Sequence, residues 1–451
     1  MMLQKTGAIL IALFLSFPAF GQTLDDYVRE GIQSNLALQK ENFSLEQSVE
    51  ALKEARGLFL PSVSIEARYS RAGGGRDIEF PVGDLLNDVY STLNQLTGTQ
   101  NFPQLENVAI PFLREQEHET KVRVVQPLFQ PGIYYNYKAN QHLSNAQKDA
   151  RDAFTRQLTA DIKSAYFNYQ KAGQVVTLLN NTTPVLEENL RVSKSLFDNG
   201  SRTQETVFRA EAELADLEQQ IAEAERNRIL AANYFNFLLN KPFDSPIANS
   251  DPEKLIFPNP IPVEEAYARA GEYREELKQL ENAVKASGSS VGAAKSRFLP
   301  GVSLVFDYGF QGEEYRFTSD DDYWMGSAVL SWNLFNGGQD KAKLQKARLE
   351  KQSLQTTQQE LGLQIRMQVD EAHQNLLVAG SAITSARKSL ERNRKSFRII
   401  EKKYANGLSP QIEFLDIRNR LTASEITYVV AQFDYQIRYA EYERITALNA
   451  S

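Results

Sequence analysis

The sequence predicts a mainly helical protein with two pairs of β-strands, built by duplication of one helix–strand–strand–helix unit. Phe59-Leu60-Pro61 recurs as Phe298-Leu299-Pro300, 239 residues later. Asn199-Gly200 recurs as Asn406-Gly407 at an offset of 207. The offset between matching residues falls from 239 to 207 at one place, between the two predicted strands of each half. The first copy therefore carries a long insertion there. A repeat of this length is a whole supersecondary block rather than one turn of a solenoid.

Composition and patterning divide the 451 residues into four segments. Residues 1–21 are predicted to be a secretory signal peptide, with a charged start at Lys5, a short apolar run and a small-x-small cleavage site. Residues 22–240 form the first repeat and residues 263–451 the second. Residues 241–262 are rich in Pro and Asp and are predicted to be a linker. No later run approaches the roughly 18 apolar residues of a membrane-spanning helix.

The composition excludes several classes of site. The chain has no cysteine, so it has no disulfide framework and no cysteine for a lipid anchor. Its three histidines, His118, His142 and His373, lack partners at metal-ligand spacing and are interpreted as ordinary solvated or helix-surface side chains. The net charge of −7 argues against nucleic-acid binding, which needs a basic surface. No cofactor is predicted.

Each half begins with a predicted helix that ends at a proline, since proline cannot continue a helix. The first helix of half one is expected from about Leu24 to Leu58, and that of half two from about Val263 to Phe298. After each proline the apolar period changes from 3.6 to 2, which indicates a strand. The four strands are predicted near residues 61–70, 119–129, 300–310 and 323–335.

The last strand carries both tryptophans of the chain. Trp324 and Trp332 fall on one face, roughly 26 Å apart at about 3.3 Å per residue. This spacing approximates the apolar band of an outer-membrane strand with an aromatic girdle at each edge. The alternative is a sandwich strand with two core aromatics. The long segment 73–118, which contains Gly73-Gly74-Gly75, is typical of an extracellular loop, whereas its counterpart 311–322 is short and acidic.

The longest helices are expected to pair through a heptad seam. At 1.5 Å per residue, the stretches after each strand pair would reach about 100 Å, and helices this long must bury a seam. The seam of the returning helix is spaced 3, 4, 3, 4, 3 and recurs in the second half. Its members are Val207, Ala210, Leu214, Leu217, Ile221 and Ala224, and then Phe414, Ile417, Leu421, Ser424, Tyr428 and Ala431.

Two short turns connect these helices. Asn199-Gly200 and Asn406-Gly407 are expected to supply positive φ at a helix C-terminus. Thr203 and Ser409 are predicted to cap the following helices, and Pro410 suits the first helical position.

Together, these features resemble the TolC-like outer-membrane efflux proteins over essentially the whole mature chain. The resemblance implies a homotrimer, with a 12-stranded β-barrel in the outer membrane of a Gram-negative bacterium and an α-helical barrel across the periplasm. It also implies a passive exit duct of a tripartite efflux or type I secretion system. The implied partners are outer-membrane lipid, a periplasmic adaptor and an inner-membrane pump. Independently, four strands are too few to close a barrel, and open edges are not tolerated in lipid.

The resemblance also implies residue roles. Aligning Tyr404-x-x-Gly407 with the family places Glu413 and Asp416 at the pore constriction, together with Tyr404. The i, i+3 spacing puts both carboxylates on one helix face, and a solvated acidic face is the alternative. Where some members carry Arg and Asp, this chain has Ser409 and Thr206, so the bridges that hold the closed state are expected to be absent or differently built.

The turns are implied to receive the adaptor, with contacts at Gly200, Ser201, Gly407 and Leu408. The alternative is that both glycines serve the turn alone.

Two other functions remain open from sequence. One is a periplasmic coiled-coil scaffold without a pore, which the alternating strands with girdle-spaced tryptophans disfavour. The other is an enzyme, which the sequence disfavours because it contains no nucleophile elbow, Gly-rich phosphate loop or His/carboxylate constellation.

Overall fold

The computed structural model of the protein describes residues 22–249 and 252–448. The predicted signal peptide, residues 1–21, lies outside these described residues. The chain divides into two compact units. The strand unit comprises Val49–His142 and Lys285–Gln352, and the helical unit comprises the described parts of Met1–Ser48, Leu143–Val284 and Ser353–Ser451.

The described helices and strands follow the same order in both halves, except that the first half has three additional elements between its long strands. In the first half they are α1 (Leu24–Ser34), α2 (Leu36–Gly57), β1 (Ser62–Arg71), β2 (Asp77–Phe80), α3 (Val82–Thr97), β3 (Val108–Pro111), β4 (Gln116–Phe129), α4 (Pro131–Asp198) and α5 (Gln204–Leu238). In the second half they are α6 (Val263–Tyr273), α7 (Glu275–Ser296), β5 (Gly301–Gly312), β6 (Asp322–Ser331), α8 (Gln339–Ala405) and α9 (Gln411–Thr446). The fold is therefore mainly helical with a duplicated helix–strand–strand–helix unit.

The first helix of each half is interrupted, whereas a continuous helix was expected from the sequence. The breaks lie at Asn35 (φ −65°, ψ 123°) and Arg274 (φ −62°, ψ 122°), which are related by the same 239-residue offset as the flanking repeats. Asn35 Nδ2 donates to the Leu238 carbonyl at 2.8 Å, and its Oδ1 accepts from the Leu38 amide at 3.0 Å. The Asn35 side chain thus supplies hydrogen bonds at the point where the regular helix is interrupted.

Arg274 holds the equivalent break by a different set of bonds. Its guanidinium donates two hydrogen bonds to Glu276, at 2.9 and 2.6 Å, and a third to Gln368 Oε1 at 2.9 Å. A polar residue with a partner on a neighbouring helix replaces the regular turn in both halves. Helical periodicity does not reveal this because the apolar spacing continues across the break.

The helical unit is held by two equivalent apolar cores, related by the 207-residue offset. In the first, Leu158, Ile162 and Ala165 of α4 are buried with Phe235 of α5. The corresponding residues of the second core are Ile365, Val369, Ala372 and Tyr442. A third apolar cluster joins α4 and α5 to α8 and α9, and it includes the predicted heptad seam at Leu217, Ala224, Phe414 and Leu421. The duplication of the sequence is thus a duplication of packing.

The segment between β1 and β4 is folded, although it reads as an irregular loop from sequence. It contains a two-stranded antiparallel sheet of β2 and β3 and the helix α3. Asn87 Oδ1 accepts from the Leu105 amide at 2.7 Å, and Asn94 Oδ1 accepts from the Phe102 amide at 3.0 Å. These side chains tie the chain that follows α3 back onto the helix.

His118 is buried, which contradicts its interpretation as a solvated or helix-surface histidine. It lies on β4 with no exposed surface, and its ring packs against Tyr315, with ring centroids 4.5 Å apart, and beside Phe317. Neither ring nitrogen has a hydrogen-bond partner among the described residues. Tyr315 and Phe317 lie in the loop between β5 and β6, nearly 200 residues from His118 along the chain. No local sequence pattern therefore predicts that His118 is buried.

None of the described helices combines the length and the apolar character that crossing a membrane requires.

Candidate functional site

The main sheet of the strand unit has one apolar face that is exposed to solvent in the single chain. Within the described residues the strand order is β1-β4-β5-β6, all antiparallel. Cross-strand partners align the apolar residues into rows, for example Ile65 with Val122, Tyr308 and Trp324. Ile65 is 76% exposed and Trp324 72%. A contiguous apolar surface of this kind marks contact with another apolar phase or with a partner.

The opposite face of the same sheet is polar. On β1 this face carries two serines at the start of the strand, Ser62 and Ser64. They are followed by two charged side chains, Glu66 and Arg68. Because successive residues of a strand point to opposite faces, the two faces follow from the alternation seen in the sequence. A sheet that is apolar on one side and polar on the other can separate a lipid phase from an aqueous one.

The two outer strands of this sheet have unpaired edges. Among the described residues, β1 pairs only with β4 and β6 pairs only with β5. A row of unpaired N–H and C=O groups is a template for another strand. In a lipid environment these groups must be satisfied by a neighbouring chain.

The predicted girdle residues do not share one strand. Trp324 lies within β6 and stacks on Phe306, with ring centroids 6.4 Å apart. The expected strand near 323–335 ends at Ser331, so Trp332 lies beyond it, and its indole Nε1 donates to the Phe298 carbonyl at 3.1 Å. The ladder stops because Pro300, which precedes β5, has no N–H to donate. Trp332 therefore lies one residue beyond the end of β6, and the role of the two tryptophans as a membrane girdle stays a prediction.

The two turns at the ends of the long helices form the second candidate site, here called the tips: residues 199–203 and 406–410. Gly200 has φ 69° and Gly407 has φ 73°, as the Asn-Gly pairs predict. The Ser201 amide donates to the Leu196 carbonyl and the Leu408 amide donates to the Lys403 carbonyl, both at 2.8 Å. Each bond joins an amide to the carbonyl five residues earlier, which is the hydrogen bond of a Schellman motif at a helix C-terminus. This motif requires left-handed backbone at the glycine.

The caps of the returning helices differ from those predicted. Thr203 is the residue before α5, but its side chain makes no capping bond to any described residue. Pro410 is itself the N-cap residue of α9 rather than its first helical residue. Ser409 is buried one position earlier, and its hydroxyl donates to the Glu413 carboxylate. The proline therefore moves the start of α9 one residue beyond the predicted position.

A polar network that the sequence did not predict joins α4, α5, α8 and α9 next to the two tips. Gln411 Nε2, at the start of α9, donates to Asn189 Oδ1 at 3.0 Å, to Ser193 Oγ at 2.9 Å and to the Thr206 carbonyl at 3.1 Å. Asn189 Nδ2 in turn donates to the Tyr404 hydroxyl at 3.1 Å. Gln411, Asn189 and Ser193 are all buried. Asn189 and Ser193 are four residues apart on α4, and this polar interruption of an apolar helix face is the sequence signal that was overlooked.

Tyr404 belongs to this network and not to an exposed surface. Its ring stacks on Phe414 at a centroid distance of 4.6 Å and an interplanar angle of 16°. Together with its bond to Asn189, this packing ties the end of α8 to α4 and α9. The assignment of Tyr404 to a pore constriction with Glu413 and Asp416 stays a prediction.

Glu413 and Asp416 share one exposed face of α9, as their spacing predicts. Glu413 accepts the hydroxyl bond from Ser409. Asp416 forms an ion pair with Arg420, one helical turn further along, at 3.1 Å. Arg420 was not considered in the sequence-based assignment, although the i, i+4 spacing of Asp416 and Arg420 is a standard signal for a helix ion pair. Of the two carboxylates, Glu413 is the one without a described basic partner.

Arg418 is a second functional candidate that sequence reasoning missed. It is 7% exposed and lies in the apolar seam, where its guanidinium donates to Thr182 Oγ1 at 2.7 Å and lies 5.4 Å from the centre of the Phe397 ring. Its Nε has no partner among the described residues. Burial lowers the pKa of this guanidinium below its ordinary value. Such a buried cation is costly unless it is paired.

The tips enclose an open cavity of about 840 Å³. Its apolar wall includes Val192, Leu196 and Phe414, and its polar rim includes Ser201 and Gly407. Leu408 lies beside it and is 77% exposed. The predicted adaptor-contact residues Gly200, Ser201, Gly407 and Leu408 therefore all belong to the two tips, and Ser201 and Gly407 line one cavity.

Comparison with known proteins supplies relatives for this arrangement. The chain is 22% identical to the probable efflux pump outer membrane protein TtgC of Pseudomonas putida over 300 residues, which are 63% of this chain and 58% of TtgC. It is 22% identical to the solvent efflux pump outer membrane protein SrpC of Pseudomonas putida over 410 residues, 85% of each chain. The match to the first of these relatives thus spans little more than half of its length.

A solved structure shares the fold. The MtrE outer membrane channel of Neisseria gonorrhoeae superposes with a TM-score of 0.75 and 20% sequence identity, covering 94% of this chain and 89% of MtrE. The family model described as "Outer membrane efflux protein" matches residues 28–241 and 266–447. These two matched segments correspond to the two structural repeats and include both tips and the whole main sheet. The chain therefore belongs to the outer membrane efflux protein family.

Proposed function

We propose that this protein is the passive outer-membrane exit duct of a tripartite efflux or type I secretion system. The observation that carries the proposal is the two-faced sheet with unpaired edges at β1 and β6. The apolar face would contact outer-membrane lipid and the polar face would line the aqueous path. The family is one of efflux proteins rather than of enzymes.

The proposed assembly is a homotrimer. Four strands cannot close a barrel by themselves, and β6 of one chain must pair with β1 of the next to satisfy both edges. Three copies would give the 12 strands that the family resemblance implies. The segment boundaries are part of the same proposal: a signal peptide at 1–21, repeats at 22–240 and 263–451, and a linker at 241–262.

The proposed partners are a periplasmic adaptor and an inner-membrane pump. The relatives TtgC and SrpC are named as outer membrane proteins of efflux pumps, which supports a role in a larger assembly. We place the adaptor contacts at the tips, at Gly200, Ser201, Gly407 and Leu408, because the glycine turns and the exposed Leu408 form a defined surface there. The pore constriction is proposed at Glu413 and Asp416, with Tyr404 supporting it from the buried network.

Cross-linking of the strand edges tests the trimer. Since the chain has no native cysteine, the changes Ser64→Cys on β1 and Ser327→Cys on β6 introduce an unambiguous pair. Oxidation is expected to give covalent dimers and trimers and to stop at trimers, because the third link closes the ring. Denaturing electrophoresis after oxidation of membranes measures this. Ser331→Cys replaces Ser327→Cys in a parallel variant that samples a register four residues away on the same face.

The matched control places the second cysteine on a central strand, whose two edges are already paired within one chain. Ser64→Cys with Ser303→Cys, on the central strand β5, is expected to give no intermolecular product. A ladder that continues beyond trimers, or a soluble monomer that never cross-links, would count against the closed barrel. The soluble monomer would favour the alternative, a periplasmic coiled-coil scaffold.

Surface labelling tests the proposed orientation. An epitope inserted at Gly74, which is exposed within segment 73–118, is expected to be labelled on intact cells. The same epitope at Asn199, in the first tip, is expected to be labelled only after the outer membrane is permeabilised. The opposite pattern would reverse the orientation.

A further inference from the structure

The polar face of the main sheet carries three consecutive rows of oppositely charged pairs. The direct cross-strand partners are Arg68 with Glu119, Lys121 with Glu66, and Arg123 with Asp307. Each row therefore contains one base and one acid. We call these six side chains the balanced rows. The adjacent row, Ser70 with Glu117, contains an acid and no base, so the balance is confined to these three rows.

The Arg123 pair is the most tightly built. Its guanidinium donates to both carboxylate oxygens of Asp307, at 2.8 Å each, and Asp307 has no exposed surface. Arg123 also lies 3.3 Å from Glu66. A two-bonded arginine–carboxylate pair is the strongest and most directional form of ion pair.

The other two rows connect to the first. Lys121 Nζ lies 2.8 Å from Glu119 and 3.9 Å from Glu66. Glu119 also accepts a bond from the Tyr323 hydroxyl at 2.7 Å and lies 3.7 Å from Arg68. The six charges therefore span three strands, Tyr323 connects them to β6, and each charge has an opposite charge within 4 Å.

A glycine makes room for this arrangement. Gly309 of β5 lies directly opposite Lys121. A Cβ at this position would come within 2.5 Å of Lys121 Cβ and of the Thr120 carbonyl oxygen. Since backbone atoms cannot move aside cheaply, a side chain at 309 is incompatible with the observed strand contact. The close approach leaves Lys121 only 12% exposed along its side chain.

We propose that the balanced rows form a charge-neutral collar along the aqueous path, so that this part of the duct does not discriminate between cations and anions. The inference rests on the proposed function, in which the polar face of the sheet lines the path. In a closed trimer each row becomes a ring of alternating charges, whose fields cancel over a distance similar to their spacing. Selectivity of the whole duct is then set outside the collar.

If the collar is neutral, removal of one charge of an ion pair should make the path selective between cations and anions. Asp307→Asn leaves the balanced rows of each chain with one excess positive charge, and the path should then favour anions. Arg123→Gln leaves the rows with one excess negative charge, and the path should favour cations. One unit charge at a few ångström from an ion in a water-like dielectric changes its occupancy by about two- to fivefold. The ratio of cation to anion permeability should move by this factor, in opposite directions for the two variants.

Reversal potentials of purified protein in planar bilayers under a KCl gradient measure this ratio. The double variant Arg123→Gln with Asp307→Asn removes both charges and should return the ratio to the wild-type value. Arg68→Gln provides a milder case because Arg68 is 64% exposed, so its loss should not affect folding; the ratio should move towards cations. Arg29→Gln, an exposed arginine of α1, is the matched control for loss of one positive charge.

The outcomes separate the two proposals. Opposite shifts in the single variants, with recovery in the double variant, support the collar, and misfolding could not produce that pattern. A wild-type protein that conducts, together with single variants and Arg68→Gln that leave the ratio unchanged, overturns the collar and leaves the duct intact. A wild-type protein that carries no current at all overturns the duct and the collar together.

Discussion

Gly407→Val should abolish most transport while the assembled protein remains in the membrane. The backbone at Gly407 has φ 73°, a region that costs an L-residue about 1 kcal/mol or more and that a β-branched residue adopts least readily. No described atom lies within 4 Å of a Cβ at this position, so the effect comes from the backbone and not from a clash. The turn would change shape, and with it the surface proposed for the adaptor. Cellular export of a fluorescent pump substrate measures the loss.

Two further variants distinguish an effect of the turn geometry on export from an effect of general loss of stability. Gly407→Asn should retain much of the transport, because asparagine tolerates left-handed backbone. Gly98→Val applies the same penalty at another open glycine with positive φ (64°), in segment 73–118, and should leave export unchanged. Full export in Gly407→Val would show that coupling to the adaptor does not depend on this turn.

The double change Glu413→Ala with Asp416→Ala should remove the block by multivalent cations applied from the periplasmic side. In a trimer the two carboxylates would form stacked acidic rings, which attract cations into a narrow path. Neither residue belongs to the buried seam, so stability should be preserved. Planar-bilayer conductance with and without a trivalent cation measures the block.

The single variants should differ, because Arg420 pairs with Asp416 and not with Glu413. Glu413→Ala alone is expected to weaken the block more than Asp416→Ala. Arg420→Gln should strengthen the block, since it removes the arginine that pairs with the Asp416 carboxylate. A block that persists in the double variant would make this pair a solvated helix face, and the constriction would have to lie elsewhere.

Much of the architecture could be predicted because it depends on short-range rules. The change of apolar period after Pro61 and Pro300 indicated strands, and β1 and β5 begin immediately after these prolines. The Asn-Gly pairs predicted positive φ at both tips, since few other residues accept left-handed backbone. The heptad spacing identified residues that are buried in the cluster joining α4 and α5 to α8 and α9.

Several of the unpredicted features depend on partners that are distant in the chain. The break at Asn35 is held by the Leu238 carbonyl, and the burial of His118 depends on Tyr315 and Phe317. The end of β6 is set by the start of its neighbour β5, not by the residues of β6. In each case the local sequence pattern is compatible with more than one local structure. The free energy of a contact with a distant segment decides which of them forms.

The sequence by itself determined the duplication, the helix–strand order and the two tip turns, because repeats, periodicity and glycine conformation act over a few residues. The tertiary structure alone decided that Gln411, Asn189 and Tyr404 form a neutral network next to the tips. It also decided that six charges on three strands cancel row by row. These outcomes follow from register and helix packing, which bring together side chains that lie up to some 220 residues apart in the chain.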